Sequence, residues 1–587
     1  MILQALTSLY EALAPKGEVP KEGWSREKIS FALGIDENGD LLRITPLFKP
    51  GDMPKGKKKE EPQEMTVPAA VKRTSGAANF LWDNSSYILG VSLKKGEDDA
   101  EREKRRNKDI KCFEACRELH HSMLDGMEYP AAKAVLNFLD KWEPQKAEEN
   151  NLVAQYAKEI LSGANMVFRF NGGYVHDDPQ LASVWQKANA KQKDNIGQCL
   201  VTGALDEIQK THPTIKGVQG AQSSGAALVS FNASAFCSYN KEQNQNAPVG
   251  KYAAFAYTTA LNHLLADRKN VHRIGDAAVV CWAENADKQY EDFAAEVFFG
   301  DNVDKSDEQR LSALRTSLKL LADGLPCKEM DLDPDRKFYI LGLSPNAARL
   351  AVRFFYCDSF GKIAGNIYKH HERLEIVRPS YDKFPILPLW KLLSATVNPN
   401  AKDKTPNAAM AGAVARAVFS GGRYPASLLE CTFLRIKAER NITRERAAII
   451  KAYYLRNPNE KCPKEVLTVS LNENSKNIPY TLGRLFSVYE EIQQAANPGI
   501  NTTIKDRYFG SAAAMPATVF PILSNLAQKH LRKLSDAQRV YLDKKVMTLK
   551  SVLGEQYPAH MSLPEQGSFD LGYYHQTQAR YTKKEDK

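Results

Sequence analysis

The feature that most constrains the fold is a change of hydrophobic periodicity near Pro385–Pro388. Before it, short apolar runs of strand length alternate with helical segments, whereas from Leu387 onward apolar residues recur almost only at helical spacing. The helical part is broken at the pairs Asn398-Pro399, Asn457-Pro458, Asn497-Pro498 and Tyr557-Pro558. The sequence therefore predicts an α+β N-terminal and middle region followed by an all-α C-terminal helical bundle.

Chain length bounds the number of domains. At 587 residues we expect two to four domains, at roughly 150 residues each. The break signals predict an α+β region over 1–380 with a further division near 100–150, a helical connector over 381–465 and a C-terminal helical bundle over 466–587.

Local patterns predict individual elements. Asn38-Gly39 between two apolar runs indicates a hairpin turn. Helices are expected over 2–13 and Lys251–Leu265. Strands are expected at Lys28–Leu33, Leu41–Ile44, Met166–Asn171, Gln198–Gly203, Ala226–Phe231 and His272–Glu284, and a further hairpin pairs Arg336–Gly342 with Ala348–Tyr356.

Composition and charge narrow the class of protein. Eighty basic and seventy acidic residues give a net charge of +10, which is compatible with a nucleic-acid partner without proving one. Nine scattered cysteines, several in apolar runs such as Val279–Trp282, are typical of reduced core residues in a cytoplasmic protein. The first residues lack the basic n-region of a signal peptide, and no apolar run approaches 18 residues, so we expect no membrane span.

Candidate metal ligands do not form a set. The pairs His120-His121 and His370-His371 are adjacent residues, which point about 100° apart on a helix. Cys112 and Cys116 share a helix face, but no second pair stands at ligand spacing. We therefore expect no metal and no cofactor.

Catalytic motifs are also missing. The glycines of Gly217–Gly225 follow neither the dinucleotide nor the P-loop order. Asp276 and Glu284 flank an apolar strand, yet no nucleophile, base and orienting group can be assembled around them. A non-catalytic protein is the main hypothesis. A metal-dependent nuclease or other hydrolase acting on nucleic acid is the alternative, and a structural scaffold is a third interpretation.

A long polar loop follows the predicted strand at Ala226–Phe231. Amide side chains donate and accept hydrogen bonds at once, so they suit base edges and sugars. The alternative interpretation is a solvated Asn/Gln loop. The candidate contacts with nucleic acid in this region are Gln222, Ser223, Asn232, Asn244 and Asn246.

A second candidate set mixes cations, amides and an aromatic ring. Such residues neutralise phosphate, bond to base edges and stack or wedge between bases. The alternative is that Phe80 and its neighbour Trp82 are core residues. The set consists of Lys72, Arg73, Asn79, Phe80 and Asn84.

A third set is a basic stretch at Arg435–Arg456, with seven basic and two acidic residues. On one continuous helix Lys437, Arg440, Arg444 and Lys451 would share a face. That stripe fails if Asn441 or Thr443 caps a new helix, although Arg444 and Lys451 would still share a face. The candidate contacts with the nucleic-acid backbone are Arg435, Arg444, Arg446 and Lys451.

Several segments in chain order carry a resemblance to one family. The chain resembles the large subunit of the type I-C CRISPR-associated surveillance complex, Cascade. The segments are 72–90 (KRTSGAANFLWDNSSYILG), 219–265, 275–284 (GDAAVVCWAE), Leu343–Arg353, Ile449–Arg456 (IIKAYYLR), Pro479–Glu490 (PYTLGRLFSVYE) and Leu571–His575.

The resemblance implies a function and a set of partners. Such subunits recognise the protospacer-adjacent motif on double-stranded target DNA, help to open the duplex into an R-loop and recruit a helicase-nuclease, without being catalytic. The implied partners are CRISPR RNA, double-stranded target DNA, the backbone and RNA-processing subunits of Cascade, the helicase-nuclease, and a small subunit made by internal translation.

The start of that small subunit is constrained by the sequence. No methionine lies between Met410 and Met515, and a start at Met515 would discard a predicted helix at Leu482–Gln494. Val466 and Leu467 stand just after a break signal, and their codons include alternative bacterial starts. We therefore predict a second polypeptide from near Val466 to the C-terminus, with fifteen basic and eleven acidic residues.

Overall fold

The chain forms two compact units. Unit 1 contains Met1–Leu9, Pro213–Ser230 and Ala260–Lys587, and unit 2 contains Tyr10–His212 and Phe231–Thr259. The predicted boundaries at 380 and 465 both fall within unit 1 and stay predictions. The computed structural model describes residues 1–50, 60–71, 76–94, 96–190, 195–300 and 308–581.

The strands belong to the first 360 residues, as the periodicity predicts. In chain order they are β1 Trp24–Ile29, β2 Phe31–Ile35, β3 Leu41–Pro46, β4 Phe48–Pro50, β5 Glu60–Pro68, β6 Trp82–Asn84, β7 Asn165–Phe170, β8 Gly173–Tyr174, β9 Ile196–Gln198, β10 Leu205–Glu207, β11 His272–Ile274, β12 Ala277–Ala283, β13 Lys337–Asn346 and β14 Arg349–Ser359.

Helices occur along the whole chain, and from residue 389 onward every regular element that the structure describes is helical. Among the described residues, none of the helices has both the length and the apolar character that crossing a bilayer requires. The helices are α1 Ile2–Leu13, α2 Ser85–Ile88, α3 Asp99–Leu124, α4 Pro130–Lys141, α5 Asn151–Ala154, α6 Ala157–Ile160, α7 Pro179–Ala190, α8 Lys251–Ala266, α9 Lys288–Ala294, α10 Glu308–Ala322, α11 Phe360–Leu374, α12 Leu389–Ser394, α13 Ala408–Ser420, α14 Ala426–Glu439, α15 Arg444–Arg456, α16 Ile478–Ala496, α17 Ile504–Ala514, α18 Pro516–Leu531, α19 Asp536–Lys550 and α20 Leu563–Ala579.

Unit 2 is built on a mixed sheet in the order β3-β2-β7-β6, with β8 paired to β7. All five residues of β2 are buried, and β2 runs parallel to β7 with Phe31 opposite Met166. The predicted hairpin is confirmed as β2 and β3, and Gly39 turns the chain at φ +81°. A side chain there would also lie 2.2 Å from the Phe138 nitrogen on α4, so only glycine fits this turn.

Unit 1 contains an antiparallel sheet in the order β11-β12-β13-β14. The predicted hairpin between Arg336–Gly342 and Ala348–Tyr356 is confirmed as β13 and β14. The strand expected at His272–Glu284 is two strands, because the chain reverses at Gly275, where φ is +64°.

Two predicted strands are wrong. Ala226–Phe231 forms only isolated bridges, in which Ala226 pairs with Ile215 and Ala227 pairs with Arg349. Of Gln198–Gly203 only Gln198 is in a strand, at the end of β9. Short apolar runs have the composition of strands, but among the described residues this run pairs at single positions and forms no continuous ladder of hydrogen bonds.

The all-α C-terminal region is confirmed, and its helices share one hydrophobic core with the sheet of unit 1. Within the C-terminal region the helices α16 and α20 cross with their backbones close together. A β-carbon on Gly483 would lie 1.9 Å from the Phe569 carbonyl oxygen, and one on Gly572 would lie 2.1 Å from that of Tyr480. The two glycines therefore set the distance between these helices.

The close approach of α16 and α20 predicts different effects on stability for two glycine-to-alanine substitutions. Gly483→Ala should lower the midpoint of thermal unfolding, because overpacking against backbone atoms costs about 1–3 kcal/mol or more. Gly510→Ala, in α17, meets nothing within 4 Å and should leave the midpoint unchanged or raise it, since alanine is the better helix former. Calorimetry of the purified chain checks both variants. A Gly483→Ala midpoint equal to that of Gly510→Ala would contradict the assignment.

Candidate nucleic-acid interface

Buried polar groups hold together the two ends of the segment that carries Lys72 and Arg73. The Asn79 side-chain oxygen accepts a hydrogen bond from the Val71 nitrogen at 2.9 Å. The Asp83 carboxylate accepts bonds from the backbone nitrogens of Asn79, at 2.9 Å, and of Asn84, at 2.7 Å. Asp83 is fully buried, so this pairing offsets the cost of removing a carboxylate from water.

The backbone between Asn79 and Asp83 has an unusual conformation. Leu81 has φ +63°, in the left-handed region that a branched residue rarely adopts. Its nitrogen donates to His120 Nε2 at 2.9 Å, and His120 Nδ1 donates to the Cys116 carbonyl at 2.7 Å. The imidazole therefore holds Leu81 in place, and burial lowers the pKa of His120 to about 4.

The Phe80 ring belongs to the core of unit 2. It is fully buried and stacks on His120, with ring centroids 5.4 Å apart, and on Trp185, at 5.7 Å. Asn79 is buried as well. The structure thus places both side chains in the interior of unit 2, whereas the sequence analysis expected them at the surface.

The other members of this set have different positions. Asn84 is half-buried, and its side-chain oxygen caps α2 by accepting from the Ser86 nitrogen at 3.0 Å. Lys72 and Arg73 lie outside the described residues.

The amide-rich set is divided between the units. Gln222 and Ser223 are exposed in unit 1, whereas Asn232, Asn244 and Asn246 belong to unit 2. The structure therefore does not bring the five into one unit. Among the described residues, Gln222 forms its hydrogen bonds through backbone atoms. Its nitrogen donates to the Ala347 carbonyl, and its carbonyl accepts from the Gly225 nitrogen.

Two of these amides shape their own loop. Asn244 is buried and donates to the Gln209 carbonyl at 2.7 Å. Asn246 accepts from the Ser238 nitrogen at 2.9 Å and donates to the Lys241 carbonyl at 2.9 Å. Such bonds hold a loop in one conformation, so these residues support the loop surface.

The predicted basic stripe is interrupted. α14 ends before Arg440, which has φ +51°, and Thr443 caps α15 through a bond from the Arg446 nitrogen. A new helix therefore begins after Thr443, as the capping alternative predicted, and the interpretation as one continuous helix is wrong. Arg435 is partly buried, with Nη1 3.8 Å from Glu439.

Three cations of this stretch are buried and paired inside unit 1, which contradicts the expectation of a basic surface. Arg444 bonds to the Asp382 carboxylate at 3.0 Å, and Arg446 bonds to that of Glu439 at 2.6 Å. Lys451 donates to the Arg373 carbonyl at 3.1 Å, at the C-terminal end of α11. Burial lowers the pKa of Lys451 to about 8. These three side chains therefore stabilise the fold of unit 1.

Sequence reasoning missed a polar cleft beside α3. It is lined by the exposed Lys108 and Lys111, with Arg105 behind them and Asn84 and Ser86 opposite. The available signal was the recurrence of basic residues at 104, 108 and 111, which is helical spacing within a run treated only as charged.

The candidate acids of the alternative hypothesis are paired. Asp276 lies 2.8 Å from Arg353 Nη2, and Glu284 lies 3.4 Å from Lys337 Nζ. Among the residues that the structure describes, no group of three or more His, Cys, Asp or Glu side chains could hold a metal ion.

The buried imidazole of His120 predicts a dependence of stability on pH. Its pKa is about 4 in the folded chain and about 6.5 when unfolded, so unfolding takes up a proton between these values. Stability should fall as the pH drops from 6.5 to 4, by at most about 1.4 kcal/mol per pH unit for this group. In His120→Gln, unfolding should take up about one proton fewer between these pH values. The slope of unfolding free energy against pH should therefore decrease by at most about 1.4 kcal/mol per pH unit.

The adjacent histidine provides the control. Asp140 and Asp125 raise the pKa of His121, so its contribution to stability is fully present below 6.5 and is lost only at higher pH. His121→Gln should therefore leave the slope between pH 4.5 and 6 unchanged. Urea titrations of both variants provide the measurement, and equal slopes would contradict a neutral, buried His120.

Comparison with known proteins gives one result. A family model described as CRISPR-associated protein (Cas_Csd1) matches residues 6–581, and no curated protein matches the chain. Because the match covers nearly all of both units, the chain belongs to the Cas_Csd1 family of CRISPR-associated proteins.

Proposed function

We propose that the chain is the large subunit of a type I-C CRISPR RNA-guided surveillance complex. It recognises the protospacer-adjacent motif in double-stranded target DNA, aids duplex opening and R-loop formation, and recruits the helicase-nuclease. The family membership supports a role in CRISPR machinery, and the sequence resemblance supports the subtype and the partners.

The observation that carries the proposal is the set of buried hydrogen bonds made by the residues that flank Lys72 and Arg73 in sequence. Asn79 joins the chain on either side of the segment, and Asp83 and His120 fix the residues that follow. A guide RNA reads sequence by pairing, so the protein needs only a short, well-positioned element to read a motif. Fixed support of this kind positions such an element with little loss of entropy on binding.

The exposed amide and hydroxyl side chains of this set are the proposed readers of base edges. Gln222, Ser223 and Asn232 present their side chains to solvent, whereas Asn244 and Asn246 hold loop conformation. Asn79→Ala is a poor probe of base recognition, because the substitution leaves the Val71 nitrogen without the side-chain oxygen that it bonds to.

Gln222→Ala is the informative change. Loss of a base-edge contact should reduce discrimination between motif and non-motif duplexes by about 1–3 kcal/mol at one position. Fold stability should be unaffected, because the side chain is exposed and the observed hydrogen bonds of Gln222 use backbone atoms. Gln186→Ala, at an exposed position on α7, is the control. The measurement is equilibrium binding of the assembled complex to motif and non-motif duplexes. Unchanged discrimination in Gln222→Ala would refute the proposal that Gln222 contacts a base edge.

The alternative functions have their own signatures. For a metal-dependent nuclease, the purified chain alone would cleave labelled DNA when a divalent metal is added. A scaffold would leave the motif preference of the complex unchanged when Lys72 and Arg73 are both replaced by glutamine. The proposal predicts no cleavage and a changed preference.

The proposal includes a small subunit made from the same gene, starting near Val466. α16 packs closely on α20 through Gly483 and Gly572, so a start at Met515 would remove the main partner of α20. Val466 itself is fully buried at the end of a short turn, Lys464–Val466.

A product starting there leaves part of its surface uncovered. In the full chain the Val377 nitrogen donates to the Val469 carbonyl at 2.7 Å, and the Tyr574 hydroxyl donates to the Val377 carbonyl at 2.7 Å. We therefore expect the separate product to be found bound within the complex, where other surfaces can cover this face.

Intact-mass analysis of complex expressed from the unmodified gene tests the start site. The expected species begins between about 455 and 480 and ends at Lys587. Synonymous recoding of codons 466 and 467 away from GTG and TTG should abolish it. Absence of the species from the unmodified gene, or its persistence after recoding, would refute this start.

A further inference from the structure

A polar cleft of about 620 Å³ lies between α2 and α3 in unit 2. Asn84, Ser86 and Ser92 contribute from one side, and Arg105, Asp109, Lys108 and Lys111 contribute from α3. Gly76, just beyond the segment that carries Lys72 and Arg73, also lines it. Its volume is in the range of clefts that hold a nucleotide-sized group.

The two lysines of this cleft have no ion-pair partner among the described residues. Lys108 and Lys111 are both exposed, and they stand one turn apart on α3, about 4.5 Å along its axis. Some other surface lysines of unit 2 do form ion pairs, as Lys133 does with Glu128 and Lys146 with Glu143. The cleft therefore presents two positive charges that no carboxylate of the described residues pairs with.

Arg105 is held in position behind them. Its Nε lies 2.6 Å from Glu97, and its Nη1 lies 3.6 Å from Asp109. Asp109 is buried and also accepts from the Ser92 hydroxyl at 2.6 Å. Arg105 Nη2 is buried without a hydrogen-bond partner among the described residues, so this guanidinium keeps one donor group unused.

We propose that the cleft binds the phosphodiester backbone of one strand of the target DNA duplex. Lysine ammonium groups act as point charges for phosphate, and hydroxyl and amide groups complete such sites. Phosphate contacts fix the register of a protein on a duplex and carry no sequence information. The cleft would therefore set the position from which the neighbouring segment reads its motif, an inference that rests on the proposed function.

The test uses the assembled complex with Lys108→Gln and Lys111→Gln combined. Each phosphate contact contributes about 0.9 to the slope of log affinity against log salt, so the slope for duplex DNA should decrease by about 1.8. Affinity should fall equally for motif and non-motif duplexes. Binding of the guide RNA should not change.

The matched control is Arg102→Gln combined with Arg106→Gln. It removes the same charge from α3 at exposed positions that do not line the cleft. Within the described part of the chain, Arg106 forms a single exposed ion pair, 3.7 Å from Glu148, so its loss should cost little stability. Equal melting temperatures of the two variants would show that both fold.

The outcomes separate the two proposals. A salt slope equal to that of the control would overturn the backbone site, as would a loss confined to guide RNA binding. If the unmodified complex shows no motif preference while the slope still decreases by about 1.8, the motif-reading function fails and the backbone site stands.

Discussion

The cost of burying a charge decides which cations of this chain are available to a ligand. Arg444 and Lys451 lie in the core of unit 1 only because a carboxylate and helix-end carbonyls replace the water they lose. Lys108 and Lys111 remain at the surface without partners among the described residues. Several cations of the basic stretch Arg435–Arg456 are thus buried and stabilise the fold. The cationic cleft is formed instead by α3, whose sequence has mixed charge.

Close backbone packing has a comparable consequence for the C-terminal region. Because α16 and α20 approach until no side chain fits at Gly483 or Gly572, the two helices behave as one element. Their core continues into the sheet of unit 1 without a break. The region proposed to be made also as a separate small subunit is therefore integrated into the larger fold in this chain, and a separate copy would have to cover the same face by other contacts.

Buried polar groups also prepare the proposed DNA-reading surface. Asp83 and Asn79 hold the chain on both sides of Lys72 and Arg73, and His120 holds the left-handed backbone at Leu81. None of these three side chains needs to touch DNA to matter. They determine where the neighbouring segment begins, and the lysine cleft would determine where the duplex lies against it.

The sequence by itself determined the fold class, the hairpins β2–β3 and β13–β14, and the helical C-terminal region, because periodicity and turn residues are local properties. It also carried a resemblance to CRISPR-associated proteins, and the family match shows that the chain belongs among them. Burial was decided only by the tertiary structure. Phe80 could stack on a base or on Trp185, and Arg446 could face phosphate or Glu439, with the same neighbours in sequence. Those choices depend on residues far along the chain, whose approach no local pattern encodes.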